Sequence, residues 1–285
     1  MTTPAPALER RDLSSIRIGR PRTFDASLVA GFVIAIGAAI IGIAASGTGI
    51  QYFLQPTGAA IVLGGTFGII FVTTPSHAVL NSLRRVRELF TTPVLDRKSL
   101  IEEIARLARV RLLRGMLALE PLAEEVSEPF LRDGLLMALD VKTRQDLRVA
   151  METELRLRER QAETDAKTFE VAGGFAPTVG ILGTVIGLIE VLRHFSDVQS
   201  VPTGIGTAFV STIYGLGLAN LLLLPLAHRI RARAAELFET QELILEGVML
   251  IAEEVHPSMV TIRLGAFLRP EPERARENIA LGQES

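Results

Sequence analysis

Residues 173–227 read GGFAPTVGILGTVIGLIEVLRHFSDVQSVPTGIGTAFVSTIYGLGLANLLLLPLA. Two apolar runs, 173–192 and 204–227, flank a short polar link. Each is long enough to cross a bilayer as a helix, which takes about 20 residues. Neither has the composition of a plain lipid-facing wall. Pro177 stands near the start of the first run and Pro225 near the end of the second. A proline removes a backbone donor and bends a helix, and membrane helices accommodate this where neighbours satisfy the freed carbonyl. Gly180, Gly183 and Gly187 admit a second backbone at close range, and Gly183-x-x-x-Gly187 is the small-xxx-small spacing of packed membrane helices. Thr184 follows Pro177 by about two helical turns, so both share a face. The second run carries Thr207, Ser211, Thr212 and Gly215. These hydroxyls either bond their own helix backbone or reach across helices and line a wet path, and spacing leaves both readings open.

Outward from this stretch, composition divides the chain. Its 285 residues are 48% hydrophobic and 22% charged, with a mean hydropathy of +0.34. That is too apolar for an ordinary soluble domain and too charged for a chain lying wholly in lipid, so a membrane part joined to a charged part is expected. The net charge of −2 offers no basic field for nucleic acid, and none is expected as a partner. There is no cysteine, which excludes disulfides and thiolate metal sites. Tryptophan, a usual interfacial anchor, is also absent.

Residues 1–24 are polar and carry Arg10, Arg11, Arg17, Arg20 and Arg22. The apolar run that follows continues as a full span without a small-residue cleavage site, unlike a secretory leader. That first span, Leu28 to Ala45, covers about 27 Å at 1.5 Å per residue. The uncharged link SGTGIQYFLQP (46–56) reads as a tight turn on the far side, with Tyr52 at the interface. A second span, Thr57 to Thr74, contains Gly64-x-x-x-Gly68, read as simple helix packing.

Pro75 closes the apolar region, and Arg84, Arg85 and Arg87 follow at once. Leu100 to Leu119 has helical periodicity in Ile101, Ile104, Leu107 and Ala108, broken or bent at Gly115 and Pro121. Asp133 to Glu163 reads as one further amphipathic helix. After the fourth span come His228, Arg229, Arg231 and Arg233, then a helix expected to end at Glu254, and a short one from Pro257 to Leu268. Arginines flank the N-terminus, the central block and the start of the tail, so the positive-inside rule places all three in the cytoplasm. The expected fold is an all-α membrane protein: four transmembrane helices with a helical cytoplasmic insert between the second and third. Its divisions are a cytoplasmic segment (1–24), a first hairpin (25–75), the insert (76–170), a second hairpin (171–228), cytoplasmic C-terminal helices (229–268) and a disordered tail (269–285).

Nothing in the chain reads as an enzyme. His77, His194, His228 and His256 are widely separated, and neither a phosphate-binding glycine loop nor a nucleophile elbow is present. No cofactor or metal is expected. The interiors of the four runs hold no Asp, Glu, Lys, Arg or His; Asp25 precedes the first and Glu190 lies near the far end of the third. An ion-driven machine needs a titratable group within the membrane. Either the chain moves no ion, or a partner supplies that group.

PTVGILGTVIGL (177–188) and AFVSTIYGLGLANLLLLPLAHRI (208–230) resemble the last two membrane helices of the MotA/TolQ/ExbB proton-channel family. ETQELILEGVMLIAEEVHPSMV (239–260) and LGGTFGIIF (63–71) resemble its flagellar stator branch, which includes MotA and PomA. The likeness runs from about Asp25 to Leu268. It implies a bacterial inner-membrane homopentamer around two single-span chains of the MotB/PomB kind, whose helix carries the ion-binding Asp. It also implies an ion-conducting subunit that couples proton or sodium flow to flagellar rotation. Thr184 and Thr212 match the family's threonines on the ion path, which proton and sodium users share. Pro177 and Pro225 match the two prolines that couple ion passage to shape change. RLLRGMLALEP (111–121) resembles the segment facing a FliG-like rotor protein: Glu120 aligns with the family's Glu, whereas Leu112 takes the place of its Arg, with Arg111 and Arg114 nearby. Two alternatives remain. A TolQ/ExbB-like energiser of an outer-membrane system usually has three spans, which the two-plus-two layout disfavours. A non-conducting scaffold predicts that Thr184 and Thr212 tolerate Val.

Overall fold

The computed structural model describes residues 22–24, 26–47, 49–93, 96–126, 128–194 and 201–268. The expected cytoplasmic segment up to residue 21, Asp25, the link 195–200 and the tail 269–285 lie outside the described residues. The chain forms two compact units. One, the membrane unit, comprises Thr23–Thr92 and Glu159–Ala235; the other, the charged unit, comprises Met1–Arg22, Pro93–Arg158 and Glu236–Ser285.

Among the described residues four helices are long and apolar enough to cross a membrane. The first, Ala26–Ala45 (α1), has the highest mean hydropathy, 2.6, and buries no residue. The second, Pro56–Thr73 (α2), starts where Pro56 contributes a preset φ and no orphan N–H, directly after Gln55. It stops because Pro75 drives Thr74 into extended conformation, φ −131° and ψ 130°. Pro75 then leads into Ser76–Leu89 (α3). Among the described residues the departure from an all-helical chain is a short pairing of Arg22–Phe24 (β1) with Thr91–Pro93 (β2).

The charged unit opens with Arg97–Arg114 (α4). Asp96 caps it, accepting from Lys98 N at 3.1 Å and Ser99 Oγ at 2.5 Å. Gly115, at φ +84°, ends this helix in a conformation that favours glycine. A short 3₁₀ turn leads to Glu120–Ala123 (α5), with Pro121 in its first turn. Then come Pro129–Asp140 (α6) and Arg144–Arg193 (α7). The single helix expected over Asp133–Glu163 is therefore two. Val141 is extended, and Thr143 opens the second helix by accepting from Asp146 N at 3.1 Å while donating to Asp146 Oδ2 at 2.6 Å. This reciprocal cap outcompetes the apolar periodicity that runs through the break.

The last long helix consists of Val201–Gly217 (α8), a π turn at Leu218–Leu223, and Leu224–Ala252 (α9). It ends two residues before the expected Glu254. Val255 N bonds Leu250 O and Glu254 N bonds Ile251 O, both at 3.1 Å, in the double closure of a Schellman motif. Glu254 occupies the left-handed position at φ +58°. Pro257–Gly265 (α10) follows, with Pro257 at its start.

The core of the charged unit is made of large aliphatic and aromatic side chains. Ile104, Phe130, Leu135, Met151, Leu243 and Leu250 are essentially inaccessible, and α10 packs on α4. In the membrane unit α2 packs on α8, and the core cluster is rich in alanine: Ala166, Ala172, Ala176, Ala219 and Ala227.

Candidate functional site

The apolar stretches that met as Gly173–Ala227 in the sequence form a seam of backbone against backbone. A Cβ on Gly187 would lie 2.7 Å from Ala208 N, and one on Gly215 would lie 2.6 Å from Ala176 O. A Cβ on Gly180 would lie 3.0 Å from Ser211 O. α7 and α8 approach this closely because lipid exerts no hydrophobic force between helices, and small residues gain dispersion contact instead. Gly64-x-x-x-Gly68, expected to pack in the same way, faces open space in this chain. The buried face of α2 is Gly58, Val62, Thr66 and Ile70, one residue per turn, and the close approaches come from Gly58 and Gly65.

Along the seam Thr184 and Thr212 meet, with their hydroxyl oxygens 2.5 Å apart. Thr184 Oγ1 also lies 3.0 Å from Ala208 O on the facing helix and 3.2 Å from Gly180 O on its own. Both readings left open by spacing are thus realised at once: the hydroxyl reaches its own backbone and crosses to the next helix. Each hydroxyl has one proton, so when Thr184 donates to a carbonyl, Thr212 donates to Thr184. Both side chains are half-buried. Ser211, by contrast, is fully buried and donates to Thr207 O at 2.7 Å within α8.

Pro177 lies inside α7 and is half-buried. Pro225 lies near the start of α9, directly after the π turn. That turn was not foreseen from sequence, and Pro225 explains it. A proline ring presses on the carbonyl one turn earlier, and widening the turn gives the ring room. Asn220 within the widened turn donates its amide to Leu216 O at 3.0 Å, supplying one acceptor with a partner. Pro225, Asn220 and Arg229 line a groove of about 290 Å³ beside α1.

At the charged ends of the membrane unit, three arginine–carboxylate pairs join helices. Arg231 of α9 forks onto Glu163 at 2.7 Å and Glu170 at 2.5 Å, both on α7. Asp165 of α7 is 1% exposed and accepts from Arg85 Nε of α3 at 3.2 Å and from Gln161 Nε2 at 2.9 Å.

In the charged unit the three residues expected at the rotor interface have different environments. Arg111 is 19% exposed and bonds Glu254 Oε1 at 2.6 Å, while its Nε is buried without a partner. Arg114 and Glu120 are exposed on either side of the Gly115 turn, and Leu113 and Leu117 nearby in sequence are exposed as well. The Arg111–Glu254 pair, 143 residues apart, has no sequence signal. Gln55 and Tyr214 were also missed as polar contacts. Their signals were present: a glutamine at the edge of a span, and a lone phenol in an apolar helix, whose hydroxyl needs a partner.

Comparison with known proteins agrees with this architecture. Residues 122–242 match the MotA/TolQ/ExbB proton channel family, and residues 29–114 match the Motility protein A N-terminal family. Motility protein A of Bacillus subtilis is 30% identical over 252 residues, covering 86% of this chain and 91% of that protein. The structure of C. jejuni MotAB superposes with a TM-score of 0.80 at 25% identity, over 87% of this chain and 97% of that one. The flagellar MotAB stator complex from Bacillus subtilis gives a TM-score of 0.78 at 28% identity, over the same shares. The chain is a membrane protein that belongs to the MotA/TolQ/ExbB proton channel family.

Proposed function

We propose that this chain is a stator subunit of the flagellar motor, coupling proton or sodium flow to rotation. The observation that carries the reading is the half-buried Thr184–Thr212 pair at a glycine-lined seam, in spans whose interiors hold no Asp, Glu, Lys, Arg or His. Two hydroxyls held 2.5 Å apart and near a carbonyl can pass or briefly coordinate an ion but cannot store a proton. The titratable group then belongs to a MotB-like single-span partner that carries an Asp. Relatives of known structure are MotAB complexes, which supports such a partner.

On this reading the subunit sits in the bacterial inner membrane with both termini in the cytoplasm, as five copies around the partner helices. Pro177 and Pro225 are the points where passage of the ion bends α7 and the α8–α9 helix. Arg114 and Glu120 meet a FliG-like rotor protein through charge complementarity, which steers transient contacts. Arg111 shapes that surface by holding Glu254.

The test is reconstitution of the chain in vesicles, with and without a single-span partner bearing an Asp, under a proton or a sodium gradient. Flux is expected only with the partner. Replacing Thr184 or Thr212 with Val, which keeps the volume and removes the hydroxyl, is expected to abolish most of it. Flux without the partner, or full flux in both Val variants, overturns the reading.

A further inference from the structure

The α7–α8 seam is unusual in what holds it. Most of its close contacts are backbone atoms and small side chains, Gly187 on Ala208, Gly180 on Ser211 and Gly215 on Ala176, with Val191 set against Gly204 at one end. Such a surface resists separation, because every contact is close. It resists sliding and axial rotation poorly, because few side chains interlock across it. Yet the Thr184–Thr212 contact depends on register. One residue of rotation in α8 turns Thr212 by about 100°, away from α7.

A second set of contacts meets α8 on another face. Thr207, Ser211 and Tyr214 recur at four and three residues and share that face. The Tyr214 hydroxyl donates to Phe53 O and accepts from Gln55 N at 3.3 Å. The Thr207 hydroxyl donates to Gln55 Oε1 at 3.3 Å. Between these two, a Cβ on Gly58 would lie 2.7 Å from Ser211 Oγ, so the start of α2 lies directly against α8. The turn 53–58 therefore holds α8 over about two helical turns by directional bonds, where the directional bonds across the seam come from Thr184, to Thr212 and to Ala208 O.

We propose that Gln55 and Tyr214 form a polar clasp that sets the rotation and axial register of α8, and so holds Thr212 on Thr184. Both are positioning residues: neither touches the hydroxyl pair. The clasp sits at the turn of the first hairpin, so a displacement of α2 is transmitted to Thr212 through α8. The clasp itself is a geometric claim; its consequence for ion passage rests on the function proposed above.

The natural absence of cysteine makes a direct readout possible. The full chain carrying Thr184→Cys and Thr212→Cys, in native membranes, is oxidised mildly and the rate of disulfide formation is measured. Adding Tyr214→Phe removes one hydroxyl and keeps the ring. The loss of a net hydrogen bond predicts a slowing of about threefold to tenfold. Gln55→Leu, which removes the acceptor for Thr207, is expected to slow it in the same direction. A second pair, Gly65→Cys with Val179→Cys, reports α2 against α7 and is expected to oxidise at an unchanged rate in the Tyr214→Phe background. An unchanged Thr184→Cys/Thr212→Cys rate overturns the clasp. Equal slowing of both pairs also overturns it, because it reveals general loosening rather than a change of register. Ion flux of Tyr214→Phe with the partner is measured alongside. Slowed cross-linking with undiminished flux supports the clasp and counts against the hydroxyl pair as the ion path, so the two claims fail separately.

Discussion

The membrane unit and the charged unit are both built of helices, yet they are held together by opposite means. In the charged unit Ile104, Phe130, Leu131, Leu135 and Met151 are at most 1% exposed, and ion pairs such as Arg111–Glu254 and Arg148–Glu246 lie around them. In the membrane unit the cluster is alanine-rich, the closest contacts are glycine to backbone, and α1 has no buried residue. The difference follows from the solvent. Water drives large apolar side chains together in proportion to the area they hide. Lipid tails are as apolar as leucine, so large side chains gain nothing by turning inward. Close backbone approach and a few polar bonds then decide which helices touch.

This contrast can be broken first in the charged unit. Phe130→Ala is expected to cost about 3–5 kcal/mol, from lost transfer energy and an unfilled cavity. Hydrogen exchange of the detergent-solubilised protein should show the loss in α4, α6 and α10. A small effect would mean the unit is not held by its core.

In the membrane unit the corresponding experiment adds atoms rather than removing them. Gly215→Ala places a methyl against the Ala176 carbonyl and is expected to cost about 1–3 kcal/mol. Gly64→Ala, facing open space within the chain, is expected to be neutral or slightly stabilising. Thermal unfolding of the two variants side by side checks this. Equal effects would show that glycine acts in these helices through backbone propensity, not through contact.

Smaller effects distinguish the polar periphery of the charged unit. Asp96→Ala removes the cap of α4 and is expected to cost about 1 kcal/mol. The bond from Ser99 holds the Asp96 carboxyl below the ordinary carboxylate range. A depressed pKa means that the stabilisation is present above the ordinary value of about 4 and is lost as pH falls through the folded-state value. The variant should therefore lose its difference from the parent chain only in strong acid.

Glu103 has the reverse sign. Burial pushes its carboxyl up, against the pull of Arg106 and with the repulsion of Glu128. Its contribution is full below the ordinary Glu value and is lost as pH rises through the raised one. Glu103→Gln is accordingly expected to stabilise the unit at neutral pH, with no gain in mild acid. Urea titrations at pH 4 and pH 7 compare the two directly.

Much of the fold was legible because its signals are local. A run of about 20 apolar residues reports its preference for lipid without reference to any partner. Pro56, Pro75 and Pro257 begin or end helices through their own ring geometry. The four spans, the helical insert and the short last helix follow from such terms. The break at Val141–Thr143 was missed although Thr143 and Asp146 are close in sequence, since a reciprocal cap and an amphipathic repeat compete there. The π turn was missed because Pro225 could be absorbed by a kink or by a widened turn, and packing selects between them.

Local sequence settles that four stretches are apolar and long enough to cross a membrane, and that their interiors hold no Asp, Glu, Lys, Arg or His. Tertiary structure alone decided which groups meet: Thr184 with Thr212, Gly58 and Gly65 rather than Gly64 and Gly68 at the packed face of α2, and Arg111 rather than Arg114 against Glu254. The physical reason is the range of the forces. Transfer to lipid and backbone sterics sum over neighbours along the chain, whereas a hydrogen bond or a close glycine contact depends on the rotation of a helix to within a fraction of a turn. That rotation is set by residues far away in sequence, as Gln55 and Tyr214 illustrate.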